Sequence, residues 1–213
     1  MSGFIFDMDG TLTDSISHYY QVAVEILEMA GAPPVSRERV CELMGTGDPQ
    51  IVRKLFPADF PDLDATLARI VAERRPTWRD AAHDLQPLPG AVELVRDLDR
   101  RGYALGIATS SNRALPYLDR WGIRSLFRSI VGREDVEKRK PHPESVGRCL
   151  AELELTPSAA AYVGDSPIDV EAGRAAGATT IAVLSGTSAR SQLEAAGPDL
   201  ILEGVSGIRT ILE

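Results

Sequence analysis

The sequence predicts an α/β fold: a parallel sheet flanked by helices and interrupted by one all-helical insertion. Three observations carry this prediction. An apolar run, Phe4-Ile5-Phe6, leads directly into Asp7, Asp9 and Gly10. From residue 88 onward, apolar runs of strand length alternate with amphipathic helical patterns, the arrangement that builds parallel sheets through right-handed crossovers. Between residues 15 and 84 the apolar spacing is helical throughout, with no strand pattern.

The elements follow in order. The first strand is the Phe4–Phe6 run. In the insertion, HYYQVAVEILEMAG, RERVCELMG, DPQIVRKLF and DLDATLARIVAERRPTWRDAAHDL all have helical spacing, and Pro76 is expected to kink or divide the last of them. After it, PGAVELVRDLDRRG reads as a helix with Pro89 near its start and Gly102 as its stop. The run 103–109 (YALGIAT) is a strand, and 112–122 (NRALPYLDRWG) a helix capped by Asn112. Then come a short strand at 129–132, a helix at 143–155, a buried strand at 159–165, a helix at 167–177 and a strand at 179–184. The first strand has partners only in the later segment. The sheet unit is therefore expected to comprise 1–14 and 85–213, and the helical insertion 15–84. Hinges are expected at Asp14-Ser15 and Gln86-Pro87.

Composition narrows the function classes. With 213 residues, 44 % hydrophobic and 25 % charged, the chain can bury a sizeable core. Its net charge of −8 argues against broad binding to nucleic acid or an anionic membrane, but leaves room for a local cationic pocket. Cys41 and Cys149 both lie in helical patterns and are expected to act as small apolar residues, with no disulfide framework. No apolar run reaches membrane-spanning length, and the strand begins too early for a signal peptide to precede it. A cytoplasmic location is the expectation.

The strand ends collect chemistry. Side chains at i and i+2 of a strand share a face, so Asp7 and Asp9 are expected to face the cleft where open α/β sheets bind ligands. Two carboxylates so close require a cation nearby. The calcium-loop alternative fails, because its position six is Leu12 and its position twelve is His18. The 103–109 strand delivers Thr109, Ser110 and Ser111, which suit either phosphate binding or helix capping. VEKRKPHPES delivers Lys140, which can balance Asp7 and hold a phosphate oxygen, or belong to a solvated basic run. The 159–165 strand delivers Asp165 and then Asp169, with Gly164 expected to permit a tight turn. These acids suit a hard cation such as Mg²⁺, or a helix cap and its dipole. Four strand ends supplying a nucleophile, an acid/base, hydroxyls, a lysine and metal ligands argue together for catalysis.

On these motifs the chain resembles the haloacid dehalogenase-like superfamily of phosphatases, over essentially its whole length. FDMDGT, IATSS, KPHP and GDSPID resemble the four family motifs in order. The resemblance implies a Rossmann-like sheet of order 5-4-1-2-3 with a helical cap inserted after the first motif. It implies Asp7 as nucleophile, Asp9 as acid/base, and Thr109, beside Ser110, as the phosphate-binding hydroxyl. It further implies Lys140 as the charge partner. Mg²⁺ would be bound by Asp7, the Asp9 backbone carbonyl and Asp165, with Asp169 as the supporting acid. The acid at position 9 separates phosphoryl transfer from dehalogenation.

The chain most resembles the phosphoglycolate phosphatase and β-phosphoglucomutase branch. Mutase-like relatives often carry a histidine where Tyr19 stands, and His18 lies about 100° around a helix from that place. MGTGDPQIV resembles a substrate-facing cap loop, making Gly45, Thr46 and Gly47 specificity candidates. Arg53, Arg74, Arg75 and Arg79 are the cap cations available to a carboxylated substrate. The expected activity is Mg²⁺-dependent hydrolysis of a small phosphorylated metabolite, phosphoglycolate or a sugar phosphate, through an aspartyl phosphate. A phosphosugar mutase and a non-enzymatic phosphate sensor are the alternatives.

Overall fold

A computed structural model describes residues 1–44, 51–83, 85–111 and 114–212. The elements are β1 (Gly3–Phe6), α1 (Ser15–Ala30), α2 (Arg37–Met44), α3 (Ile51–Lys54), α4 (Leu63–His83), α5 (Ala91–Arg100), β2 (Ala104–Ala108), α6 (Ala114–Arg120), β3 (Ser129–Val131), α7 (Glu144–Glu152), β4 (Ala160–Gly164), α8 (Pro167–Ala175), β5 (Thr179–Val183), α9 (Arg190–Ala196) and β6 (Leu200–Leu202). Asn112, expected to cap α6, lies outside the described residues. Among the described residues no helix is long and apolar enough to cross a membrane.

The strands form one parallel sheet of order β3-β2-β1-β4-β5-β6. Read from the other edge, this is the expected 5-4-1-2-3 order with a sixth strand added beyond β5. Sequence analysis missed β6 because three residues are too few to show a period. Backbone pairing to β5 and burial of Leu193 and Ala182 beside Ile201 hold it in place. In β1, Phe4, Ile5 and Phe6 are all fully buried. Side chains of both alternating sets are therefore covered, as the continuous apolar run of a central parallel strand requires. On the Ile5 face, Val146, Cys149 and Leu150 of α7 and Ala172 of α8 pack with Ile5, Tyr162 and Val131. Cys149 is buried there and donates its thiol to the Ile107 carbonyl at 2.9 Å, whereas Cys41 is only partly buried.

The chain divides into two compact units, Met1–Asp14 with Gln86–Glu213, and Ser15–Leu85. In the helical unit, Ile26 and Leu27 of α1 bury against Phe56 and Ile70. Two local expectations change. Of the helix expected over DPQIVRKLF, residues 48–50 lie outside the described residues; the described part is α3, which ends at Lys54, where the chain tightens into three-residue turns (Leu55 N–H to Val52, Phe56 N–H to Arg53) before Pro57. Helix α4 runs undivided through Pro76. Side chains on both sides of the proline hold onto one residue of α1: Arg74 pairs with Glu25, and Trp78 Nε1 donates to Glu25 Oε2 at 2.5 Å. This anchoring, with Ile70 buried one turn and a half earlier, offsets the hydrogen bond that proline removes.

Candidate active site

Four strand ends of the sheet unit carry the chemistry. Strand β1 stops at Phe6, before either acid, so the strand-period argument for Asp7 and Asp9 does not extend to them. The Asp7 N–H still bonds Val163 O at 2.8 Å, which keeps Asp7 in the sheet's hydrogen-bond pattern and buried. The chain then coils: the Met8 carbonyl accepts the N–H groups of Thr11, Leu12 and Thr13 at 3.2, 2.9 and 2.9 Å. Asp9 lies in this coil, half-buried, bridged to Thr13.

Lys140 is the centre of the site. Its loop is held by Glu144 at the start of α7, whose carboxylate accepts the N–H groups of Glu137 and Lys138 at 2.8 and 3.0 Å. Lys138 and Arg139 stay exposed, while the Lys140 side chain is only 4 % exposed. Its ammonium donates to Asp7 Oδ1 at 2.7 Å, to Asp169 Oδ1 at 2.6 Å and to the Tyr162 hydroxyl at 3.0 Å. Asp169 also caps α8, its Oδ2 accepting from the Ser166 N–H at 3.2 Å and from the Ser166 hydroxyl. Its carboxylate therefore spans the lysine and the helix start. Gly164 does not serve a tight turn: it is the last residue of β4, and a Cβ there would lie 2.3 Å from Asp169 Cβ. Its small size admits Asp169 to the cluster.

Asp165 is buried and supported from the segment after β5. The Thr187 N–H donates to Asp165 Oδ2 at 2.9 Å, with the Thr187 hydroxyl at 3.4 Å. Ser185 Oγ donates to the Gly10 carbonyl at 2.8 Å, tying the same segment to the coil after β1. Between them Gly186 presses against Asp165, where a Cβ would sit 1.9 Å from Oδ2.

Carboxylate oxygens of Asp7, Asp165 and Asp169 all lie within 4.8 Å of one another. Burial pushes the Asp7 carboxyl up to about 7, with the Lys140 ammonium pulling it down and Asp169 pushing it up. Burial, then Asp169 and Asp7, drives Asp165 well above the ordinary carboxylate range. Burial pulls the Lys140 pKa down, but Asp169 and Asp7 outweigh it and hold it well above the usual value. Three buried carboxylates thus face one buried ammonium. An all-oxygen donor set with excess negative charge fits a hard divalent cation such as Mg²⁺. The cluster does not include the Asp9 carboxylate.

Thr109 is buried at the end of β2, and its hydroxyl accepts the Ser111 N–H at 3.1 Å; Ser110 beside it is exposed. The pairing of Phe6 with Ile107 sets Asp7 alongside Ala108, with Thr109 one residue beyond. Gly45, Thr46 and Gly47 lie outside the described residues. Of the arginines expected to serve a carboxylated substrate, Arg53 pairs with Asp64 and Arg74 with Glu25, both within the helical unit.

Sequence reasoning missed Tyr162, Ser185, Gly186 and Thr187. Each had a signal. Tyr162 is a polar intrusion in the otherwise apolar strand AAYVG, and SGT follows the end of β5, the same location that marked the other strand ends.

Comparison with known proteins agrees with this architecture. The family model for haloacid dehalogenase-like hydrolases matches residues 4–183. The phosphoglycolate phosphatase of Synechococcus elongatus is 32 % identical over 211 residues, covering 98 % of this chain and 95 % of that protein. Pyrophosphatase PpaX of Bacillus cereus is 30 % identical over 219 residues, covering 98 % and 94 %. In fold, the crystal structure of a predicted phosphoglycolate phosphatase from Haemophilus somnus 129PT superposes with a TM-score of 0.77 at 22 % identity, covering 100 % of this chain and 98 % of that one. With the family model spanning all four strand-end motifs and a parallel sheet of the corresponding order beneath them, the chain belongs to the haloacid dehalogenase-like hydrolase family.

Proposed function

We propose that the protein is a Mg²⁺-dependent phosphatase that hydrolyses a small phosphate monoester through a phosphorylated Asp7. The observation that carries this reading is the Lys140 ammonium held between Asp7 and Asp169, with Asp165 beside them. A buried carboxylate beside a buried lysine is a nucleophile whose ionised form is favoured by the neighbouring cation, which also attracts phosphate oxygens.

An Asp7 oxygen attacks phosphorus in line; the new O–P bond forms as the ester P–O bond breaks. Asp9 gives its proton to the departing alkoxide oxygen. Asp9 then takes a proton from water, whose oxygen attacks phosphorus and frees Asp7, releasing inorganic phosphate. Lys140 and Thr109 hold phosphoryl oxygens, with Ser110 next to them, where charge accumulates in the transition state. Asp7, the Asp9 backbone carbonyl and Asp165 would hold Mg²⁺, with Asp169 supporting the cluster through Lys140. The ion supplies charge neutralisation between the nucleophile and the phosphate dianion.

Residues 1–14 and 85–213 form the catalytic part in this reading, and 15–84, including Gly45 and Thr46, the substrate-selecting cap. Phosphoglycolate is the leading substrate, supported by the name of the Synechococcus relative. The test is inorganic phosphate release from phosphoglycolate, pyrophosphate and a panel of sugar phosphates, with and without Mg²⁺, for wild type and Asp7→Asn. Metal-dependent release that disappears in the variant is the expected result. Isomerisation of a sugar phosphate without phosphate release would replace the reading with a mutase.

A further inference from the structure

Tyr162 has no part in the chemistry above, yet it makes more polar contacts at the site than any role in strand packing requires. It sits in the middle of β4, fully buried, with Ile5 as its register partner on β1. Its hydroxyl accepts from Lys140 at 3.0 Å and lies 2.9 Å from the Ala108 carbonyl and 3.1 Å from Asp169 Oδ1, both acceptors for its single proton. The ammonium lies 5.7 Å from the centre of the tyrosine ring. An ammonium has three protons, and among the described residues Asp7, Asp169 and Tyr162 are its three near acceptors; the Ala108 carbonyl is more distant at 3.5 Å. Two carboxylates alone fix a line along which the ammonium can still swing. A third acceptor from a rigid central strand removes that freedom. A phenylalanine would satisfy the packing equally well, so the hydroxyl is explained by the lysine and not by the core.

We infer that Tyr162 is a positioning residue, whose hydroxyl fixes the Lys140 ammonium against Asp7 and so sets where the lysine meets the phosphoryl group. This rests on the phosphatase reading only for its kinetic consequence; the hold on Lys140 stands apart from it.

The test is Tyr162→Phe, which keeps the ring and most of the side-chain volume. Two readouts are taken on the full chain. The first is steady-state phosphate release, where loss of alignment is expected to lower kcat roughly 10- to 100-fold with KM little changed. The second is the ¹⁵N-detected resonance of the Lys140 ammonium, assigned by its disappearance in Lys140→Arg. A buried, fully bonded ammonium exchanges slowly enough to be seen in wild type, and the signal is expected to shift or broaden away in Tyr162→Phe. A kcat within twofold of wild type, or an unchanged ammonium signal, overturns the proposal. If the variant does not fold, wild type alone decides: a nuclear Overhauser contact between the Tyr162 hydroxyl proton and the Lys140 ammonium supports it, and its absence overturns it. Failure of wild type to release phosphate from any ester would overturn the phosphatase reading instead, and the ammonium signal would still report on Tyr162.

Discussion

The two units of this chain are stabilised in different ways. The helical unit, Ser15–Leu85, buries aliphatic and aromatic side chains: Ile26, Leu27, Phe56 and Ile70, ringed by Val22, Leu67 and Trp78. Its ion pairs, among them Arg53 with Asp64, Arg74 with Glu25 and Arg39 with Glu42, lie at exposed or partly exposed positions. The sheet unit has an apolar core of its own, but at the strand ends it also buries Asp7, Thr109, Asp165 and Asp169 together with Lys140. Apolar burial stabilises a fold with little dependence on pH or ions. Buried charge costs desolvation and is tolerated only when paired. The sheet unit thus holds three carboxylates and one ammonium buried together at its strand ends.

Four substitutions sharpen the contrast. Asp7→Asn has the largest expected effect: phosphate release should fall by at least roughly a thousandfold, with far-ultraviolet circular dichroism unchanged. Lys140→Met comes next. It leaves Asp7 and Asp169 buried without their cation, which should cost about 3–5 kcal/mol in urea unfolding, with the loss shrinking as the pH is lowered and Asp7 takes up a proton.

Ile70→Ala in the helical unit should cost about 2–5 kcal/mol through the cavity it leaves. That loss should be equal at pH 5 and pH 8, unlike that of Lys140→Met. A pH-dependent Ile70→Ala would break the comparison. Gly186→Ala should cost about 1–3 kcal/mol by overpacking, because the added methyl meets Asp165 Oδ2. It should also weaken Mg²⁺ binding roughly tenfold or more by displacing Asp165, measured by isothermal titration.

The last comparison is a pH linkage. The Asp7 carboxyl is raised from 3.8 to about 7 in the folded protein. A raised pKa adds stability that is complete below about pH 4 and is lost as the pH climbs through about 7. In chelator, Asp7→Asn should therefore gain thermal stability relative to wild type as the pH rises from 4 to 8. Saturating Mg²⁺ should narrow that gap. A constant difference across the range would mean that Asp7 titrates at its ordinary value.

Much of the fold was legible because its signals are local. Continuous apolar runs, helical spacing and Gly or Pro stops mark the alternation from β2 to β5, since each reports on burial within a few residues. What was missed depends on distant partners. Strand β6 is recognisable only beside β5. Continuity of α4 through Pro76 depends on Glu25 of α1, fifty or so residues earlier in the chain. Asp7 and Asp9 do not lie within a strand, because the Met8 carbonyl gathers the following N–H groups into a coil.

By itself, the sequence determined which strand ends carry acids, hydroxyls and a lysine, because residue type and strand periodicity are properties of short stretches. Only the tertiary structure decided how those groups are paired. Lys140 turns inward while Lys138 and Arg139 stay exposed, Tyr162 becomes its third acceptor, and Thr187 holds Asp165 across the loop closed by Gly186. The reason is physical: pairing is set by desolvation and distance among residues 22 to 133 positions apart, and those quantities exist only once the sheet has assembled.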